Sequence, residues 1–229
     1  AQGRRYRYGH QPQIAMGNLV QLANALYPLI EETAPLEKSL DIYPQSFQQG
    51  WQDMMAQKLG FLAFEETSDK ALVDDLLAIL KLVETDMTIF YRQLARLNIN
   101  IEKLNDIDND ELMAPLKDAF YVTEQLSEDY KESLGNWLRN YIRRVAKDNR
   151  NDEERRSAMN KVNPKYVLRN YLAQLAIDKS EQGDHSMVNE LLELLRRPYD
   201  EQPEMEKYYE KRPDWARQRA GCSMLSCSS

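Results

Sequence analysis

The chain has 229 residues, 42% of them hydrophobic and 29% charged, which suits a folded protein with a core rather than a disordered one. Its net charge of -7 argues against wholesale binding to nucleic acid or to an anionic membrane surface, and no apolar run approaches the ~18 residues of a membrane span. With 8 glycines, 9 prolines and abundant Leu, Ala, Glu and Lys, the composition points to an all-α fold, and no apolar leader opens the chain.

Residues 1–12, AQGRRYRYGHQP, read as an extended lead-in from the interior of a longer polypeptide. Tyr6 and Tyr8 among Arg4, Arg5 and Arg7 could stack on nucleic-acid bases, but the overall acidity favours tyrosines lying on a protein body. The helical body is expected over 13–200. Ile14, Leu19, Leu22, Ala23, Leu26 and Ile30 recur near one helix face, with Pro28 bending or ending that helix. A second helix starts at Pro35, breaks near Pro44 and resumes with Phe47, Trp51, Met54, Met55 and Leu59 before Gly60. Ser68 or Asp69 caps a third, which carries Leu72, Leu76, Leu77, Ile79 and Leu80. Thr85 or Asp86 opens a fourth, with Ile89, Phe90, Leu94 and Leu97.

The acidic stretch 98–110 reads as a connecting loop. Its Asp106, Asp108 and Asp110 alternate, yet the glycine and glutamate of a calcium loop are out of place. A short helix near Glu111 is broken by Pro115, and Leu126 to Val145 then form a long amphipathic stretch. Its opposite face carries Arg139, Arg143, Arg144 and Lys147, a solvated surface or a seat for an acidic partner. Asn163 is expected to cap, and Pro164 to open, a helix that buries Val167, Leu168, Tyr171, Leu172, Leu175 and Ala176, and that Gly183 ends. Asp184 or Ser186 caps the next helix, which buries Val188, Leu191, Leu192 and Leu195 and stops at Arg197 before Pro198. Residues 201–229 form a charged, irregular tail, with Trp215 as its anchor.

Catalytic chemistry is sparse. The two histidines, His10 and His185, sit in unlike contexts, and no glycine-rich loop, HExxH or zinc-ligand spacing occurs. Asp74 and Asp75 are adjacent on a helix and point apart, so they form no dyad. No catalytic, cofactor-binding or metal-binding residue is assigned in this chain. The remaining candidates are Cys222 and Cys227 in the tail, read as exposed thiols beside Arg217 and Arg219 that form a disulfide or stay free.

Several stretches carry a family signal: MNKVNPKYVLRNYLAQLAI, LLRRPYDEQP, RPDW, a terminal Cys-Ser-Ser, and the opening QGRRYRYGHQPQIAMGNL. Together they resemble the C-terminal half of the selenoprotein O family, over essentially the whole chain. That resemblance implies the helical C-lobe of a kinase-like fold, in an enzyme that transfers AMP from ATP to hydroxyl side chains of proteins with Mg2+ as cofactor. The family's phosphate loop, lysine and glutamate pair, catalytic aspartate and metal-binding asparagine and aspartate would all lie upstream of Ala1, so the chain alone is expected to be inactive. Its partners would be the missing N-terminal half and the protein substrates. Its location would be the cytoplasm of a bacterium, or the mitochondrion of a eukaryote. By the same resemblance Cys227 matches a third-from-last position that is selenocysteine in some members, which makes it a redox candidate with Cys222 as the partner within the chain. Gly17, where a tryptophan is expected, and an extra Arg5 depart from the pattern. The competing reading is a non-enzymatic helical module that uses its Arg139 to Arg144 face, or exposed apolar surface, to bind a partner.

Overall fold

A computed structural model describes residues 7–99, 102 and 104–222, which excludes Arg4, Arg5, Tyr6 and Cys227. The described residues are all-α, with one isolated bridge between Thr85 and Phe120. None of the helices is long and apolar enough to cross a membrane. The chain divides into two compact units, the first ending at Met54 and the second starting at Met55.

The first unit holds α1, Gln11–Ile30, and most of α2, Ala34–Leu59. Pro12 starts α1 where its missing N–H costs nothing. Pro28 does not break α1 but lies within it, two residues before its last residue, Ile30; the helix closes at Glu31 in the left-handed conformation (φ 58°) with its N–H on the Tyr27 carbonyl. Nor does Pro44 interrupt α2. It lies on an exposed face, where water can satisfy the carbonyl one turn back, so the helix runs through it. Tyr43 Oη donates to the Pro12 carbonyl at 3.2 Å, and its ring stacks on Phe47.

The second unit is built on α3, Glu66–Ile79; α4, Met87–Leu94; α5, Asn109–Met113; α6, Glu128–Lys147; and α7, Asp152–Val162. Asp86 caps α4 as expected, accepting from the Ile89 N–H at 3.1 Å. Asp108 caps α5, and Asp110 pairs with Lys131 at 3.1 Å, so two of the three alternating aspartates have structural roles. Helix α3 begins earlier than expected, after Glu65, because the Asp69 carboxylate reaches back to accept the Glu65 N–H at 2.8 Å. In α6, Trp137 donates to the Leu72 carbonyl at 2.8 Å and stacks on Tyr141, which donates to the Leu59 carbonyl at 2.9 Å. Gly60 (φ 78°) turns the chain there; a Cβ would lie 2.8 Å from Met159 Sδ and 2.9 Å from Arg155 Cγ, so only glycine fits.

Helix α7 is absent from the sequence reading because its turns are polar, capped by Asn151 and opened by Asp152, Glu153 and Glu154. What it buries is one arginine and one methionine, Arg155 and Met159: Arg155, 1% exposed, donates to the Ala95 and Leu97 carbonyls at 3.0 and 3.2 Å and pairs with Asp152 at 2.7 Å. Asn163 accordingly ends α7 rather than capping the following helix. The next helix, α8, spans Asn170–Glu181, and Gly183 (φ 83°) turns the chain into α9, Ser186–Arg196, which stops before Pro198 as expected. Val167 and Leu168 precede α8 in non-helical chain, and Val188 and Leu192 are exposed. The buried stripe of α9 is Met187, Leu191 and Leu194.

Candidate functional site

Beyond Pro198 the chain lies across the second unit as a strap, tied at its start by the Lys165 and Tyr166 N–H groups, which donate to the Pro198 carbonyl at 2.8 and 3.1 Å. The two stretches that stand out in the sequence, Asn163 to Tyr166 and Arg196 to Pro203, thus meet in space. Lys165, 5% exposed, donates to Glu201 at 2.7 Å and Glu206 at 2.6 Å. Tyr166 Oη donates to the Gln202 carbonyl at 3.0 Å, and the buried Gln202 amide donates to the Leu194 and Arg197 carbonyls at 3.2 and 2.8 Å. Asn163, fully buried, accepts from Lys58 Nζ and donates to the Lys58 carbonyl, both at 2.9 Å.

Arg92 closes the knot. It is buried in the apolar run of α4 and donates to the carbonyls of Asn160, Asn163 and Tyr199 at 3.1, 3.2 and 3.2 Å, while its other nitrogen pairs with Glu201. One guanidinium therefore joins α4, the end of α7 and the strap. Its single sequence signal is a charge inside a hydrophobic helix, and the sequence reading did not single it out.

A second cluster holds the strap further along. Asp86 accepts both guanidinium nitrogens of Arg169 as well as Tyr121 Oη, the last at 3.1 Å. Tyr121 Oη in turn accepts the Arg212 N–H at 3.2 Å, and Glu84 pairs with Arg217 at 2.7 Å. Burial is the largest influence on the Tyr121 phenol and holds its pKa above the usual value. Between the clusters runs an open groove of about 620 Å3, lined by Ile89 and Gln93 of α4, by Arg96 just beyond it, by Tyr121, and by Tyr209 and Arg212 of the strap.

These groups position chain segments. Nearly every charge in the knot is spent on an internal partner, and no group of three His, Cys, Asp or Glu among the described residues is arranged to hold a metal ion. His10 accepts from Arg7 Nε at 2.9 Å, and His185 stands at the start of α9. Cys222 is not the exposed thiol expected. It is 4% exposed and packs in the cluster that includes Leu172, Ala176, Leu191 and Tyr208, so its reactivity is limited by access. Cys227 lies outside the described residues. Trp215 meets Tyr171 edge to face but is 46% exposed, and Tyr208, Ala216 and Cys222 are the buried anchors of the tail.

The basic face of α6 is also mostly occupied. Arg144 is buried against Asp69; Arg139 donates to Asn109 Oδ1 and the Ile107 carbonyl, both at 2.7 Å; and Arg143 donates to Asn105 Oδ1 at 2.9 Å. A partner-binding surface made of these side chains would have to break those bonds first.

Burial weakens the Glu201 carboxylate's preference for charge, but Lys165 and Arg92 outweigh it and hold its pKa below the ordinary carboxylate value of 4.5. Burial likewise pulls Lys165 down, and Glu201 with Glu206 raises it overall. Because the Glu201 pKa is depressed in the folded state, its stabilisation is present above the unfolded value and is lost as pH falls through the folded one. Limited proteolysis of the strap should therefore accelerate as pH drops below the ordinary carboxylate value of 4.5, before the rest of the unit opens. Unchanged cleavage down to acid unfolding would show that this carboxylate does not hold the strap.

Comparison with known proteins gives these features a context. The sequence matches the profile of the family described as protein adenylyltransferase SelO over residues 1–196. Among curated proteins named protein nucleotidyltransferase YdiU, the chain is 54% identical over 233 aligned residues to that of Rhodopirellula baltica, 48% to that of Flavobacterium johnsoniae and 49% to that of Aromatoleum aromaticum. The whole of this chain is covered in each case, and it spans 43%, 42% and 42% of those relatives. With most of its length matching the family profile, the chain belongs to the SelO family of protein adenylyltransferases.

Proposed function

We propose that this chain supplies the helical C-lobe of a kinase-like protein nucleotidyltransferase, which transfers AMP from ATP to the hydroxyl groups of protein substrates. The observation that carries this reading is the family match over residues 1–196, together with relatives named for nucleotidyl transfer that cover the chain end to end. The residues present do not fit Mg2+ or ATP. The sequence carries no glycine-rich phosphate loop, and the described acidic side chains that are well placed are engaged by arginine and lysine. The groups that bind nucleotide and metal would then belong to the portion of the family protein that this chain does not span. The role of the chain would be to hold a rigid scaffold, with the strap fastened across it, beneath those groups.

Transfer of this kind depends on positioning and on neutralising phosphate charge, so the chain alone should give no label transfer from α-labelled ATP and Mg2+. Substituting this chain for the corresponding segment of the Rhodopirellula baltica relative should leave a soluble chimera that transfers label. Chelator-sensitive transfer by the chain by itself, or a folded but inert chimera beside an active relative, would overturn the proposal. The rival interaction-module reading loses the basic-face half of its support, since Arg139, Arg143 and Arg144 are engaged internally, and would have to rest on exposed apolar surface instead.

A further inference from the structure

Gln93 is 6% exposed, sits in the buried run of α4 and lines the groove between the two clusters. A primary amide offers two N–H donors and a carbonyl acceptor, and polar groups so enclosed nearly always find partners. Among the described residues, no hydrogen bond engages this side chain. Arg96, three residues on and exposed, likewise makes no side-chain hydrogen bond or ion pair among the described residues. The other cations of the groove are engaged: Lys211 donates to the Phe120 carbonyl and Arg212 pairs with Glu84, both at 2.5 Å. Carboxylates share the wall. Glu206 and Asp214 pair with Lys165 and Arg217, whereas Asp118 and Glu210 are exposed and have no ion pair among the described residues. The groove thus presents an enclosed amide, a guanidinium and two carboxylates with no internal partner.

We infer that this groove binds an extended peptide segment of mixed charge, with a main-chain peptide group on the Gln93 amide, an acidic side chain on Arg96 and a basic one on Asp118 or Glu210. An apolar ligand would leave all of these groups unpaired. A phosphate or nucleotide would gain one free cation, Arg96, and meet the carboxylates of Asp118, Glu206, Glu210 and Asp214. An extended peptide answers each group. Its main-chain N–H and C=O match the acceptor and donor of a glutamine amide, and its side chains supply both signs of charge. The groove's volume of about 620 Å3 lies inside the range of roughly 300–1,000 Å3 that ligand sites occupy. Recognition here uses main chain and charge rather than a hydroxyl, so the bound segment needs no Ser, Thr or Tyr. Nor does it need ATP, and the site stands or falls apart from nucleotidyl transfer.

Blocked peptides test this on the full chain without nucleotide. The probes are acetyl-Ala-Glu-Leu-Lys-Ala-amide and its reverse acetyl-Ala-Lys-Leu-Glu-Ala-amide, with controls that carry two Glu or two Lys in the charged places. The readout is the pair of side-chain amide signals of Gln93 in a nitrogen–proton correlation spectrum. At least one mixed peptide should shift these signals to saturation and bind at least about tenfold more tightly than either control. Gln93→Leu should weaken that binding at least about tenfold, because the main-chain group loses both partners. Arg96→Glu changes an exposed side chain and keeps the test decisive where Gln93→Leu fails to fold; it should move the preference to the peptide with two Lys. Signals that no mixed peptide shifts would show that water alone satisfies the amide and would overturn the inference. Equal binding of single-sign peptides, an unchanged preference in Arg96→Glu, or a larger shift with AMP would overturn it as well.

Discussion

Replacing Asp69 with alanine should destabilise the second unit by about 3–5 kcal/mol, the usual cost of removing one partner from a buried ion pair. Asp69 is fully buried in the first turn of α3, and Arg144 of α6 is 5% exposed. The guanidinium grips the carboxylate with two nitrogens, at 2.6 and 2.9 Å, and the same carboxylate accepts the Glu65 N–H that starts α3. Asp69→Ala therefore removes the partner of a buried cation and the fastening of a helix N-terminus together. Asp148 at 2.9 Å and the Ala63 carbonyl at 2.9 Å still hold Arg144, which places the effect toward the lower end of that range. Thermal melting should fall by roughly 6–15 °C. The double variant Asp69→Leu with Arg144→Met should recover much of the loss, because two apolar side chains leave no uncompensated charge. A single variant that melts like the parent would show that the pair contributes little beyond what solvent can replace.

How far the sequence carried this picture depends on what each segment presents to the core. Helix α6 was legible because its apolar residues repeat with the helical period, and the boundaries of α9 were legible because glycine and proline bracket it. Helix α7 was not, since its buried face is Arg155 with a single Met159 in place of a hydrophobic stripe, and a charge pattern looks the same on a buried face as on a wet one. The same ambiguity put Arg144 on a solvated face. Asn163-Pro164 reads as a helix start by local chemistry, but tertiary bonds to Lys58 override that preference and hold the segment extended. The strap cluster was legible as two distinctive stretches but not as one site, because their meeting depends on a residue, Arg92, that lies 71 positions away from Asn163.

Arg92→Met should release the strap. The substitution keeps much of the apolar volume in α4 and removes every bond the guanidinium makes. Glu201 is 57% exposed on its side chain and can turn to water, so the loss of that ion pair alone is modest. The carbonyls of Asn160, Asn163 and Tyr199 have less freedom: each loses its bond to Arg92 in a partly or fully enclosed place, and unsatisfied buried acceptors are costly. We expect a loss of roughly 2–4 kcal/mol, concentrated on the local opening of residues 198–222 rather than spread evenly over the unit. Limited proteolysis should show this as cleavage in the strap at least tenfold faster than in the parent, while α3 and α6 keep their protection. Arg92→Lys should recover only part of the loss, because a point charge cannot reach three carbonyls and a carboxylate in the fixed geometry of the guanidinium. If the strap of Arg92→Met resists protease as well as the parent does, the strap is held by Lys165, Tyr166 and Gln202, and Arg92 is a buried passenger.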